Sequence, residues 1–353
     1  MQLLSLKHIL FFLGALFFSI LINSIMLRFV KTLGIRNEKE TVIRWSDQVK
    51  PALGGLSFYI IFLLSISLHS FIFSYSGSVV DFQITGIVGA VSLGFLMGLS
   101  DDAYNTRPIL KCLTQILCAV ILIYSNTYIN IFENNILNYL LTIIWVVGLM
   151  NSINMLDNMD GITTIVALLI SFTILAIMLI NNETHSVGMT IVIGLLAALL
   201  GFLYFNWNPS KMYMGDTGSQ YLGVLLAALS IKYLWNPVTT EEFSISRQFL
   251  IPLISFIIPI VDTTTVVVKR ISKGKSPFIG GKDHTTHHLS YLGLSEKQVA
   301  LVITLISLTS SLIVVYVISS IKVWSHLYTA IFITYFLIVF GVLFAIAKKN
   351  TNH

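Results

Sequence analysis

Long apolar runs alternate with short polar segments along nearly the whole chain. A bilayer core takes about 20 apolar residues as helix. On that measure, runs beginning near His8, Leu53, Ile84, Leu110, Ile136, Ile162, Val187, Gly218, Phe249, Val299 and Leu327 are expected to span, the third and fourth being short. The pattern predicts an all-α polytopic integral membrane protein with about 10–11 transmembrane helices. No internal repeat, low-complexity tract or soluble linker of domain size interrupts it, so residues 1–353 are expected to form a single transmembrane domain. The first run has the length of a span and no small-residue cleavage site, which argues against a cleaved signal peptide.

Composition sharpens this picture. Hydrophobic residues make up 56% of the chain and charged residues only 10%, against about 25% charged in soluble domains. The net charge of +5 does not point to nucleic acid, because the basic residues lie in loops between spans. Cys112 and Cys118 sit in or beside an apolar run and read as small buried hydrophobes rather than a disulfide.

The basic residues also orient the chain. The first loop holds Arg28, Lys31, Arg36, Lys39, Arg44 and Lys50, the third Arg107 and Lys111, and the seventh Lys211. The loop after the ninth span holds Lys269, Arg270, Lys273, Lys275, Lys282 and Lys297, and Lys348 and Lys349 follow the last span. Only Lys232, Arg247 and Lys322 fall near the alternate loops. By the positive-inside rule the N-terminus is expected outside and the C-terminus in the cytoplasm. The acidic residues Asp101, Asp102, Asp157, Asp160 and Asp216 then all open to the cytoplasm, as does the stretch Asp283 to His288. A transporter, the rival reading, would scatter ionisable groups through the membrane depth; Asp262 is the one good candidate for that.

Asn151, Asn154, Asp157 and Asp160 recur every third residue between two apolar runs. On a straight helix such a series drifts by about 60° per step, so four such groups cannot face one point. The helix is therefore expected to end or break near Asp157–Gly161, where glycine tolerates a backbone that other residues resist. Carboxylates and amides at the mouth of a membrane helix are costly unless they bind something. Asp101–Asp102 is a vicinal acid pair needing a cation or a proton, with Asn105, Pro108, Lys111 and Gln115 following. Asp216 is flanked by Gly215 and Gly218, with Thr217 and Ser219 as candidate caps for the next helix. His284, His287 and His288 lack the fourth ligand or nearby cysteine that a zinc site favours. Together with Lys and Arg they suit a diphosphate. Carboxylates alone would repel such a substrate. Mg²⁺, with Mn²⁺ as a substitute, reverses that by bridging carboxylate and phosphate. The constellation reads as metal-dependent phosphoryl transfer at a membrane surface.

These motifs resemble the polyprenyl-phosphate N-acetylhexosamine-1-phosphate transferases, the family of the WecA and TagO group and of the peptidoglycan enzyme MraY. The resemblance rests on four motifs: the Asp101–Asp102 pair with Lys111 and Gln115; the series Asn151, Asn154, Asp157, Asp160, Gly161; Met214-Gly215-Asp216 with Gly218-Ser219; and Ser276-Pro277-Phe278 leading to His287-His288. It extends from Pro51 to about Gln298. It implies a bacterial plasma-membrane enzyme, multi-pass and dimeric, acting at the cytoplasmic face. The implied reaction joins a UDP-N-acetylhexosamine to undecaprenyl phosphate and releases UMP, at the start of a cell-envelope polysaccharide.

By motif position, Asp216 is the implied metal ligand and Asn206 a substrate-phosphate contact. Asn154, Asp157 and Asp160 fall in the implied nucleotide pocket, with Tyr213 stacking on uracil and Lys50 as its candidate lysine, and Asn151 is a further substrate-binding candidate. Asp101 and Asp102, with Lys111, stand near the attacking phosphate. Arg270, His284, His287 and His288 are expected around the diphosphate. Asn158 stands where many members have glycine, and the histidines are spaced His-x-x-His-His. That spacing, Asn105 in place of a lysine, and the short basic loop from Lys269 to Glu296 favour the WecA and TagO side and UDP-N-acetylglucosamine. The phospho-N-acetylmuramoyl-pentapeptide transferases are the alternative.

Overall fold

The computed structural model describes residues 4–33, 50–73, 81–236, 244–276 and 281–349. Arg36, Lys39, Arg44, Pro277 and Phe278 lie outside the described residues, as does the side chain of Lys31. The described residues form helices α1 (Leu6–Leu33), α2 (Gly54–Phe73), α3 (Phe82–Tyr104), α4 (Pro108–Tyr124), α5 (Asn135–Leu156), α6 (Ile162–Ile180), α7 (Val187–Asn206), α8 (Gly215–Ser230), α9 (Ile245–Ser255), α10 (Ile257–Ser272), α11 (Thr285–Tyr291), α12 (Glu296–Ser320) and α13 (His326–Lys349). A π-helical segment, Ile231–Trp235, continues α8.

Every apolar run read from the sequence contains a helix. Among the described residues, 8 helices have the length and apolarity of a span on their own. The run beginning near Phe249 is instead a broken span, α9 and α10 meeting at 81°. Pro252 and Pro259 flank the break, and each removes a backbone donor that a straight helix needs. α4 is a shorter apolar helix.

α8 is the axis of the fold: every residue in it is buried except Asp216. Lipid tails are as apolar as the core, so close packing rather than water exclusion holds such a helix in place. Small residues make that approach feasible. A Cβ on Gly98 of α3 would lie 2.2 Å from the Asp216 carbonyl oxygen, and one on Gly55 of α2 would lie 2.3 Å from the Gly218 nitrogen. Backbone bonds from Gly54 and Gly55 to the Tyr213 and Met214 carbonyls tie α2 to the strand-like segment before α8.

Polar contacts gather at the two ends of the bundle. One end holds the C-terminal ends of α3, α5, α7, α10 and α13 and the N-terminal ends of α4, α6, α8 and α12. It also carries the acidic and histidine motifs. The other end holds His8 against the Thr184 carbonyl, Lys232 against Gln83 and Asn130 against Asn236.

Candidate active site

α5 stops at Leu156, Asp157 takes the C-cap position, and Gly161 starts α6 with φ of 76°. The predicted break therefore lies where the four-residue series needs it, and the series splits. Asn151 and Asn154 remain on α5, while Asp157 and Asp160 belong to the turn. Asn151 donates to Gln115 (2.7 Å), which donates to Gln220 of α8 (3.2 Å). Asn154 donates to Ser219 (2.8 Å) and to Asp216 Oδ1 (3.0 Å). The amides thus dock α5 and α4 against the first two turns of α8.

The start of α8 is held from α3. Asp102 accepts from the Asp216 N–H (2.9 Å), the Thr217 N–H (2.8 Å) and the Thr217 hydroxyl (2.6 Å). It satisfies donors that a helix N-terminus leaves open and places negative charge at the positive end of the dipole. Local capping by Thr217 or Ser219, expected from the sequence, is replaced by this carboxylate from another helix. Thr217 donates to the cap, and Ser219 receives Asn154.

Asp101, one residue earlier, faces elsewhere. It accepts from the Thr106 N–H (2.8 Å) and hydroxyl (2.7 Å) and pairs with Lys111. Lys111 also reaches Asp216 Oδ2 at 3.3 Å, so one ammonium bridges two carboxylates. The Asp216 side chain is 31% exposed and that of Asp101 only 5%, which leaves Asp216 as the more accessible acid.

A second cluster lies beyond the turn. Asp160 accepts from the Ser210 N–H (2.8 Å) and hydroxyl (2.7 Å), and Lys50 stands 3.7 Å from its carboxylate. The Lys50 ammonium also lies 5.1 Å over the Tyr213 ring. This brings Lys50, Asp160 and Tyr213 together from three distant parts of the chain. Ser210 was not singled out in the sequence; its only signal was a position after Asn208-Pro209 in a turn. Asn206 is buried and its amide is engaged by protein: Gly161 N–H (3.2 Å) and Thr164 hydroxyl (2.8 Å) donate to it, and it donates to the Met212 carbonyl (3.0 Å). It pins the α7–α8 connection to the start of α6.

The third cluster surrounds α11. His284 Nδ1 meets Asp262 Oδ2 at 2.8 Å, and Thr285 donates to Asp262 Oδ1 through its N–H (2.7 Å) and hydroxyl (2.6 Å). Asp262, read from the sequence as lying inside a span, is at this site because α10 is a half-length helix. Arg270 closes its fork on Asp283, at 2.8 and 2.6 Å. Thr286 donates to Asn158 (2.7 Å), tying α11 to the α5–α6 turn.

Among the described residues no three His, Cys, Asp or Glu side chains form a closed metal cage. A magnesium ion does not require one, since it binds through one or two carboxylates, water and substrate phosphate. The donor set suits it: Asp216 offers a partly exposed carboxylate, and Lys111 already shows a cation lodged between Asp216 and Asp101.

Burial holds His287 down to about 3, helped by the neighbouring His284, and holds His288 down to about 4, helped by the Lys269 charge. Both rings are neutral in the folded protein near neutrality, whereas an unfolded chain protonates them near an ordinary value of 6.5. The unfolded state then binds more protons below that value, so stability is greatest above it and falls as pH drops toward 4 and 3. Thermal unfolding in detergent at about pH 7.5 and pH 5 is expected to show this loss. The doubly substituted His287→Gln, His288→Gln protein is expected to show a smaller one; an equal slope would place the pH sensitivity elsewhere.

Comparison with known proteins fits this geometry. The profile of glycosyl transferase family 4 matches residues 84–234, which include the acid pair, the asparagine–aspartate series and Asp216. A probable undecaprenyl-phosphate N-acetylglucosaminyl 1-phosphate transferase of Bacillus subtilis is 30% identical over 303 residues, covering 83% of this chain and 79% of the relative. A decaprenyl-phosphate N-acetylglucosaminephosphotransferase of Mycobacterium leprae is 29% identical, covering 72% and 70%. A phospho-N-acetylmuramoyl-pentapeptide-transferase of Streptococcus agalactiae is also 29% identical, covering 70% and 76%. The chain belongs to glycosyl transferase family 4, the polyprenyl-phosphate N-acetylhexosamine-1-phosphate transferases.

Proposed function

We propose that this protein transfers N-acetylglucosamine 1-phosphate from UDP-N-acetylglucosamine to undecaprenyl phosphate at the cytoplasmic face of a bacterial plasma membrane. The observation that carries the reading is the Asp101–Lys111–Asp216 bridge, held beside Asn154 at the start of a buried helix. The names of the Bacillus and Mycobacterium relatives support the lipid phosphate and the sugar.

A phosphate oxygen of the lipid attacks the β-phosphorus of the nucleotide-sugar. The new P–O bond forms as the bond to the α-phosphate oxygen breaks, and UMP leaves. Asp101, next to the Lys111 ammonium, takes the residual proton of the lipid phosphate. Lys111 offers positive charge to the reacting phosphates. Asp216, with Asn154 orienting its carboxylate, would hold Mg²⁺. When bound, that ion neutralises the charge that gathers on the transferring phosphate. The Lys50, Asp160 and Tyr213 cluster suits the nucleoside end of the donor, Tyr213 offering a ring and Asp160 an acceptor. Arg270 and the histidine helix suit the diphosphate.

The Streptococcus relative keeps the muramoyl-pentapeptide reading open as the second possibility. Competition decides between them. With both nucleotide-sugars at equal concentration and undecaprenyl phosphate as acceptor, the lipid product is expected to carry N-acetylglucosamine and UMP to be released. A muramoyl-peptide product would move the protein to the peptidoglycan branch, and no UMP from either donor would refute transferase activity.

Orientation has its own test. A reporter fused after Lys348 is expected inside, and one placed between Asn126 and Asn134 outside. The same side for both would overturn the cytoplasmic assignment.

A further inference from the structure

Lys269, near the end of α10, is buried, with 8% of its surface exposed. Its ammonium has two acceptors, His288 Nε2 at 2.7 Å and the Ala347 carbonyl at 2.7 Å. Ala347 is buried in the last turn of α13, where helix carbonyls lack intrahelical partners and a cation is favoured by the dipole. One side chain thus caps the C-terminal helix and touches the histidine helix.

The chemistry of that contact is restrictive. A lysine ammonium carries three protons and no lone pair. His288 Nε2 must therefore accept, which excludes a proton on that nitrogen and leaves the proton of the neutral ring on Nδ1. The groups around the ring agree. Burial and the Lys269 charge oppose a second proton, while Asp283, Asp262 and the Asp283 backbone carbonyl favour one and are outweighed. His287 precedes it on α11, and Tyr291 lies with its ring centroid 5.6 Å away. His284 differs: its Nδ1 faces a carboxylate oxygen, Asp262 Oδ2, at 2.8 Å, so on that ring Nδ1 is the donor.

We propose that Lys269 is a positioning residue, which locks His288 as the neutral Nδ1–H tautomer and ties α11 to the end of α13. His288 is then a buried ring of fixed orientation between α10 and the end of α13. The tautomer rests on the 2.7 Å contact and on the charge of the lysine ammonium; its consequence for rate rests on the transferase reading.

The test is nitrogen-15 NMR of ring-labelled histidines in the whole protein, with the His288 signals identified by their loss in His288→Gln. The wild-type protein is expected to show Nδ1–H and no titration from about pH 5.5 to 8, a range in which a free imidazole titrates. In Lys269→Met the same ring is expected to mix tautomers or titrate within that range. Lys269→Met is also expected to lower kcat by about tenfold to a hundredfold with KM little changed, as for a misplaced group. It should gain an acid limb in its pH profile, and Lys269→Arg should restore most of the rate. A wild-type ring protonated on Nε2, or one unchanged by Lys269→Met, overturns the proposal. If no nucleotide-sugar is turned over by wild type while the NMR result holds, the transferase reading fails and the tautomer lock stands.

Discussion

Asp216→Asn is expected to lower kcat/KM by about a thousandfold or more, equivalent to about 4 kcal/mol of transition-state stabilisation. The substitution keeps the shape of the side chain and its contact with Asn154, whose amide meets Oδ1 at 3.0 Å. It removes the carboxylate from the more accessible acid of the bridge, the hard anionic ligand that the proposed divalent ion would need. Lys111 retains Asp101 as a partner, so no cation is stranded and the thermal midpoint is expected to stay near that of wild type. The apparent magnesium requirement is expected to rise. Activity within a few-fold of wild type would remove Asp216 from the chemistry and, with it, the proposed metal position.

The two adjacent aspartates are expected to fail in different ways. Asp102→Ala strands two backbone N–H groups and a hydroxyl at the start of α8. Losing a helix cap costs about 0.5–2 kcal/mol. The same loss lets Asp216 shift, and a displacement of about 1 Å in a reacting constellation costs on the order of a hundredfold in rate. The midpoint should fall and the rate defect should be the same at every pH. Asp101→Asn leaves that cap intact. Its defect should shrink as pH rises, because the lipid phosphate has a second ionisation near about pH 6 to 7, by analogy with phosphorylated side chains, and needs less help when fully ionised. Thermal unfolding and pH–rate profiles of both variants separate the two roles. An Asp102→Ala protein that melts like wild type and follows the Asp101→Asn profile would refute the cap.

The sequence carried much of this arrangement. Spans were legible because the transfer of an apolar helix into lipid is a local sum over its own residues, and each predicted run does contain a helix. The stop after α5 was legible because the three-residue spacing and Gly161 forced it, and Gly161 does take a left-handed conformation. The broken span at Phe256 is not legible from Pro252 and Pro259, since prolines in membrane helices are often accommodated without a sharp bend. That bend brings Asp262 to His284.

What the sequence by itself determined is the class of fold, the end of the bundle where the polar chemistry gathers, and the residue types present there. These follow from hydropathy and from spacing along single helices. Which acid meets which partner was decided by the tertiary structure alone. Asp101 and Asp102 are neighbours in the chain, yet adjacent helical positions point about 100° apart, so one side chain meets Lys111 and the other caps α8. The same holds for Asn206, whose partners lie on α6 and before α8, and for Lys269, whose two acceptors lie 19 and 78 residues away. Contacts at such separations depend on how helices cross, and that depends on close packing around α8 rather than on any local pattern of residues.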